Sequence, residues 1–225
     1  MIQFLKTIPL FSNMETEEIK QILHCSKSKV LSFQKNSPIF EEGEVPEHIF
    51  ILQKGKILVS KHLSSGKRNV ICEIHQKEVF GILIDPMGVE TYWYDAIAVM
   101  DCEVLCIPWK FLFHMCPKVC EVHQKFMQNM FRVQSDINVY QMKKLNILSG
   151  VTIEAKIALL MLQLMDEHGK LDFKMNREEL ADYLGITRPS LSRTLMQMRK
   201  KEWISIRKSK VEILNLNELE RICSR

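Results

Sequence analysis

The sequence lacks the long apolar runs and the leader pattern of membrane and exported proteins. None of its apolar runs approaches the roughly 18 residues that a membrane-spanning helix needs. The first residues, MIQFLKTIPLFSNMETEEI, contain no basic segment followed by a long apolar core, so we expect no signal peptide. These absences predict a cytoplasmic protein without a membrane partner.

Paired cysteines are also missing. The seven cysteines include no CxxC pair, and their spacing matches neither a zinc finger nor a disulfide framework. Free thiols are the simplest interpretation, so no cofactor is predicted. One alternative stays open, because Cys116 and Cys120 lie near His114 and His123, and these residue types also ligate haem or iron–sulfur clusters.

The common catalytic signatures GxxxxGK(S/T), GxGxxG, GxSxG and HExxH do not occur. The seven histidines are dispersed and show no recognisable partner pattern. We therefore expect no enzymatic activity. A protein that binds other proteins but not DNA is the alternative from a different class.

The most informative stretch runs from Met175 to Trp203, MNREELADYLGITRPSLSRTLMQMRKKEW, and predicts two short helices joined by a tight turn. Asn176 suits the N-cap of the first helix, and Glu179 completes a capping box with it. Gly185 suits a left-handed C-cap. Thr187 can cap the second helix. The pattern is typical of a helix-turn-helix motif.

The second helix has one apolar face and one polar face. Leu191, Leu195 and Met198 recur at helical spacing and should face inward. Arg, Ser and Gln on the opposite face suit the major groove of double-stranded DNA. The residues that we predict to contact DNA here are Thr187, Arg188, Pro189, Ser190, Ser192, Arg193, Gln197 and Lys200.

Positive charge is concentrated around this helix. Between Ile186 and Lys210 there are eight Lys or Arg residues, opposed only by Glu202, although the whole chain carries a formal charge of only +4. Two alternating apolar segments then flank Arg207-Lys208-Ser209-Lys210. They predict a hairpin, or wing, whose basic tip, with Lys208 and Lys210, contacts phosphates.

Residues 30–108 show short apolar segments separated by turns, which predicts a β-barrel or β-roll. A turn at Lys54-Gly55 separates two such strands, and residues 64–67 form another turn. Residues 96–108 look like one further strand region.

After Pro117 the apolar period lengthens to that of a helix. The seam alternates steps of four and three, as in a parallel two-stranded coiled coil; a long helix packed on its own domain is the alternative. Its members are Val119, His123, Phe126, Met130, Val133, Ile137, Tyr140, Lys144 and Ile147. The residues predicted to form a dimer interface are Phe126, Met130, Val133, Ile137 and Tyr140.

This order of elements resembles the Crp/Fnr family of bacterial transcription regulators. The segments that carry the resemblance are IPLF, IFEEGEVPEHIFILQKGKILV, EVFG and NREELADYLGITRPSLSRTL. The resemblance implies an α+β fold: an N-terminal β-roll like a cyclic-nucleotide-binding domain, a long dimerisation helix and a C-terminal winged helix-turn-helix. The corresponding domain limits are 1–116, 117–148 and 149–225.

The effector region departs from the nucleotide-binding members of the family. Those members carry Glu directly after the FG pair and an Arg about a dozen residues later. Here Ile82 follows Phe80-Gly81, and no arginine occurs from Asn69 to Phe131. Cyclic AMP is therefore not the expected effector, since a phosphate favours a bidentate guanidinium. An unknown organic effector, or none, is expected instead, and its pocket is placed among Phe80, Gly81, Ile82, Leu83, Tyr92, Tyr94 and Phe126. Packing in the core or at a dimer contact is the alternative interpretation of the aromatic residues.

The resemblance also implies partners. It predicts a homodimer on a two-fold DNA operator, with RNA polymerase as a protein partner. Members that respond to nucleotides or oxygen usually have Glu where this chain has Pro189. The operator should therefore differ from theirs in at least one half-site position. A haem-binding or redox-sensing regulator of the same family is the alternative within this class.

Overall fold

The computed structural model describes residues 1–62, 64, 68–82, 90–113 and 120–223. The chain forms two compact units, Met1–Gln134 and Ser135–Arg225. Within the described residues, no helix combines the length and the apolar character needed to cross a bilayer. Several predicted features lie outside the described residues: most of the turn at 64–67, Leu83, His114, Cys116 and Val119. The division into three domains stays a prediction.

The first unit begins with helices. Glu15 and Glu18 form a capping box at the start of the second of them, which satisfies backbone N–H groups that a helix leaves free at this end. The helical segments of this unit are α1 (Ile2–Leu5), a 3₁₀ helix (Pro9–Phe11), α2 (Thr16–Cys25), a second 3₁₀ helix (Trp109–Leu112) and the first part of α3 (Glu121–Leu148).

The rest of this unit is a β-roll made of two antiparallel four-stranded sheets. The strands are β1 (Lys29–Phe33), β2 (Pro38–Phe40), β3 (His48–Lys54), β4 (Ile57–His62), β5 (Arg68–Ile74), β6 (Val79–Phe80), β7 (Asp95–Ala98) and β8 (Cys102–Pro108). Their orders are β1-β8-β3-β6 and β2-β7-β4-β5. Buried residues from both sheets, among them Phe40, Leu52, Ile57 and Val104, form one apolar cluster.

Gly55 marks the point where the chain passes from one sheet to the other. Its φ is +102°, and a Cβ there would lie 2.5 Å from the Cys102 Sγ and 2.7 Å from the Asp101 carbonyl oxygen. Only glycine fits such a conformation and such a close approach. The predicted strand region 96–108 is two strands, because residues 99–101 turn between β7 and β8 in different sheets.

Helix α3 runs from Glu121 to Leu148, inside the predicted limits 117–148, but part of its predicted dimer seam requires correction. Phe126, Met130 and Val133 are buried within the single chain. Phe126 packs between Phe11 and Phe111, with ring centroids 5.6 and 6.0 Å away. These three side chains are thus covered within the single chain and are not available to a second helix. The alternative of a helix packed on its own domain describes this part of α3.

The C-terminal half of α3 belongs to the second unit, and its predicted seam residue Tyr140 is 56% exposed. Burial and the nearby Tyr140 hydroxyl raise the pKa of Tyr183, and the Lys144 ammonium lies 5.1 Å from the centre of the Tyr183 ring. Ile137 is half-buried, and Ile147 is fully buried in the core of this unit. Ile137 and Tyr140 thus keep exposed surface, and their place in a dimer interface stays a prediction.

The second unit is a winged helix-turn-helix, and the predicted fold class is confirmed. Its elements are α4 (Ile153–Leu164), β9 (Lys170–Asp172), α5 (Arg177–Leu184), α6 (Arg188–Lys200), β10 (Ile204–Arg207), β11 (Lys210–Ile213) and α7 (Leu216–Cys223). One apolar cluster joins residues of α4, α5, α6 and the sheet. The sheet order is β10-β11-β9.

Candidate nucleic-acid interface

Local capping fixes the turn between α5 and α6. The Asn176 Oδ1 accepts hydrogen bonds from the backbone N–H groups of Glu178 and Glu179 at 2.9 and 3.0 Å. The Glu179 carboxylate accepts one from the Asn176 N–H at 2.9 Å. Gly185 ends α5 with φ +63° and ψ 39°. The predicted capping box and left-handed C-cap are confirmed.

Thr187 starts α6 as predicted, and it shares this role with Ser190. The Thr187 Oγ1 accepts a hydrogen bond from the Ser190 N–H at 3.3 Å and donates one to the Ser190 Oγ at 2.9 Å. The Ser190 carbonyl in turn accepts a bond from the Thr194 hydroxyl at 2.9 Å. Both residues therefore help to hold the N-terminus of the helix in place.

The two faces of α6 differ as the spacing predicts. Leu191, Leu195 and Met198 are buried in the core of the unit. The predicted DNA contacts on the other face are exposed: Arg188, Pro189, Ser192, Arg193, Gln197 and Lys200. Sequence reasoning missed Met196, which is 53% exposed on this same face. Its position three residues after Arg193 was the available signal.

Charges on α6 differ in their ion pairing. Arg188 lies 3.5 Å from the Glu178 carboxylate, and Lys201 lies 3.4 Å from that of Glu154. In the part of the chain that the structure describes, no carboxylate lies within 4.0 Å of the charged groups of Arg193, Arg199 or Lys200. These three charges are available to an anionic surface such as DNA.

The wing has the predicted basic tip and a third strand that the sequence did not indicate. Arg207 pairs with Lys210 across the turn, and β11 also pairs with β9. Lys208, in the turn, has φ +58°. Lys208 and Lys210 are exposed, so the tip presents positive charge to solvent.

Two further contacts hold the wing, one to the start of α5 and one to the end of β9. The Arg177 Nη2 donates to the Lys208 carbonyl at 3.3 Å. The pKa of Asp172 lies below its usual value because its carboxylate accepts hydrogen bonds from the Lys174 N–H and the Ser209 hydroxyl. The contacts of Arg177 with Lys208 and of Asp172 with Ser209 do not follow from spacing along the chain, because each joins residues more than 30 positions apart.

The predicted effector region lies inside the β-roll and is densely packed. Tyr92 stacks on Phe40 at 3.7 Å between ring centroids, and its hydroxyl donates to the Gly81 carbonyl at 3.1 Å. Phe80 is buried in the same cluster, and Tyr94 packs against it. Burial raises the pKa of Tyr92 and of Tyr94, so both stay neutral phenols near neutral pH.

Two members of the predicted effector set require comment. Phe126 does not join this cluster, because it packs between Phe11 and Phe111. Its inclusion in the pocket was wrong for that reason. Ile82 is half-buried. At the preceding residue, Gly81, an added Cβ would lie 2.5 Å from the Phe50 ring. The structure therefore brings together Phe80, Gly81, Tyr92 and Tyr94.

The proposed cysteine and histidine ligands are only partly described. Among the described residues, no group of three or more His, Cys, Asp or Glu side chains is arranged to hold a metal ion. Burial raises the pKa of Cys106 to about 11, which keeps this thiol protonated. His123 is buried, with its ring 4.5 Å from that of Phe111.

Comparison with known proteins assigns both units. Residues 30–118 match the model of the cyclic nucleotide-binding domain, and residues 155–222 match the Crp-like helix-turn-helix domain. The global nitrogen regulator of Nostoc sp. is 24% identical over 198 residues, which cover 82% of this chain and 84% of that protein. The nitrogen fixation regulation protein FixK of Azorhizobium caulinodans is 25% identical over 197 residues, covering 81% and 73%.

A solved structure shows the same fold. The structure of CprK in complex with OCPA has a TM-score of 0.59 and 15% sequence identity to this chain, and it covers 90% of this chain and 93% of its own. The matched relatives are named as regulators, not as enzymes. From the two domain matches, the relatives and the fold, the chain belongs to the Crp/Fnr family of bacterial DNA-binding transcription regulators.

Proposed function

We propose that two copies of this chain bind a two-fold operator in double-stranded DNA, with α6 of each copy in the major groove. The observation that carries the proposal is the exposed face of α6, where Arg193, Ser192 and Gln197 are free of the core. Arginine can bind guanine bidentately, and glutamine can bind adenine. The cytoplasm is the proposed location.

Selection of duplexes from a random pool tests this proposal directly. The full chain should enrich an inverted repeat whose half-sites are about one helical turn apart, roughly 34–36 Å. Enrichment of no sequence, or of a single asymmetric site, would contradict two-fold recognition. Footprinting on the enriched duplex then locates the two half-sites for the variants described below.

The wing is proposed to contact the phosphate backbone through Lys208 and Lys210. Binding affinity falls as salt rises, and Lys208→Ala should make this fall less steep. The magnitude of the slope of log affinity against log salt should decrease by about 0.9 for each copy of the chain, because each neutralised phosphate contributes about that much. The loss of affinity should be similar for selected and for random duplexes. Lys156→Ala, on α4 of the same unit, is the matched control and should leave the slope unchanged.

One outcome of the salt titration would contradict a phosphate contact of the wing. If Lys208→Ala changes the preference between sequences but leaves the salt slope unchanged, the wing reads bases, and its role as a phosphate contact is wrong. Circular dichroism of both variants should match that of the unaltered chain, since both side chains lie at the surface.

A different face of α3 is proposed to form the dimer. Phe131, Val139, Met142 and Leu145 are 69, 50, 61 and 61% exposed, respectively; we call them the α3 stripe. Phe131, Met142 and Leu145 fit a four-three alternation that passes through Ser135 and Asn138, as in a coiled coil. Such a concentration of exposed apolar side chains on one helix favours burial against a second copy.

The proposed effector is a molecule other than cyclic AMP, or none. Support comes from the lack of arginine between Asn69 and Phe131 and from the aromatic packing of Phe80 and Tyr92. A bound effector would shift the equilibrium between two conformations that differ in DNA affinity. As a transcription regulator, the chain is further proposed to act on RNA polymerase.

Equilibrium dialysis against radiolabelled cyclic AMP tests the effector proposal. We expect no saturable binding up to about 1 mM, because a lysine ammonium does not provide the planar fork that a cyclic phosphate prefers. Saturable binding at micromolar concentration, accompanied by tighter operator binding, would show that cyclic AMP is the effector. Native mass spectrometry of the same sample would reveal any retained ligand.

A further inference from the structure

Met196 is an apolar residue of α6 that lies outside the core of the second unit. The buried face of α6 is complete with Leu191, Thr194, Leu195 and Met198. Met196 is 53% exposed and does not belong to the apolar cluster of the unit. An apolar side chain thus lies among the polar residues that α6 presents to DNA.

Its place on that face is central. Pro189, Arg193, Met196 and Lys200 follow one another at steps of four, three and four residues, so they form a single line along the exposed side of the helix. Helical side chains lean toward the N-terminus of their helix. The Met196 thioether therefore extends toward the level of Arg193.

The major groove contains one apolar group that such a side chain can contact. Thymine carries a 5-methyl group there, whereas the other recognition groups are hydrogen-bond donors and acceptors. Methionine suits this contact, since it is unbranched, flexible and polarisable. Contact between the thioether and the methyl group removes both from water.

We propose that Met196 is a specificity-determining residue that recognises a thymine methyl group beside the base pair bound by Arg193. This inference rests on the proposed placement of α6 in the major groove. According to this inference, the preference for one thymine in each half-site comes from a single apolar contact with Met196. Loss of that contact removes a preference for thymine while the phosphate contacts stay in place.

Replacement of thymine by deoxyuridine in the selected operator tests this inference, because deoxyuridine lacks only the methyl group. At one thymine in each half-site, the full chain should bind about fourfold less tightly for each methyl removed, the equivalent of ~0.8 kcal/mol. Met196→Ala should lose this difference at that position only, and it should retain the response to changes at the base read by Arg193. Met196→Leu should keep part of the thymine preference.

Val151→Ala is the matched control, because Val151 is an 84% exposed apolar residue of the same unit that precedes α4. It should keep the full difference between thymine and deoxyuridine. The inference is overturned if no thymine in the operator responds to loss of its methyl group, or if the response survives Met196→Ala. Failure of the full chain to select any sequence would instead overturn the proposed function, and this inference with it.

Discussion

Arg193→Ala is expected to weaken binding to the selected operator by about 1–3 kcal/mol per half-site, a factor of roughly 5 to 150. Arg193 is exposed on α6, and no described carboxylate is close enough to neutralise it. Its guanidinium can therefore donate two parallel hydrogen bonds to a guanine edge. The variant should also tolerate any base at the position that Arg193 reads.

The measurement is a set of affinities, at one salt concentration, for operators that carry each base at each half-site position. Arg193→Lys should retain the charge but lose most of the discrimination, because an ammonium lacks the planar fork. Arg199→Ala is the matched control, since Arg199 is an exposed arginine in the last turn of the same helix. Because its charge is also available to DNA, its loss should weaken all sequences alike and leave the discrimination between bases unchanged. Equal weakening of all sequences by Arg193→Ala would make Arg193 a phosphate contact and would refute its base-reading role.

Substitution in the α3 stripe is expected to have the second large effect. The double variant Met142→Glu with Leu145→Glu should dissociate the dimer, raising its dissociation constant at least a hundredfold. Each uncompensated carboxylate that becomes buried costs about 3–5 kcal/mol. Two-fold symmetry brings the carboxylates of both copies into one interface. Operator binding should fall with dimerisation, because one half-site alone provides half of the contacts.

Sedimentation equilibrium over a range of chain concentrations measures this effect. Gln141→Glu adds the same carboxylate at an exposed position of the same helix, outside the α3 stripe, and should leave the dimer intact. A double variant that dimerises as tightly as the unaltered chain would place the interface elsewhere. An unaltered chain that is monomeric at all concentrations would contradict the homodimer itself.

The difference between the predicted and the proposed dimer faces has a physical origin. Helix α3 has apolar residues on more than one side, so its period of four and three can be drawn through Phe126 and Met130 or through Met142 and Leu145. Periodicity identifies an apolar stripe but not the surface that covers it. Burial of Phe126 against Phe11 and Phe111 excludes the first stripe from the dimer interface. Those two partners are distant from Phe126 in sequence.

Long-range pairing accounts for the other differences. Strand β9 is three residues long and exists through its pairing with β11, so the sequence alone offered little signal for it. Residues 96–108 read as one apolar region, yet β7 and β8 lie in different sheets. Contacts between distant segments determine strand pairing, and propensity within a short window does not contain them.

The helix-turn-helix could be predicted before folding was considered, because its signals are local. Asn176 with Glu179 specifies where α5 begins, Gly185 where it ends and Thr187 where α6 begins. Each acts within about one helical turn of its own position. The spacing of Leu191, Leu195 and Met198 then sets which face of α6 is buried. Tertiary structure alone decided which face of α3 is covered, because burial depends on partners that the chain brings together only when it folds.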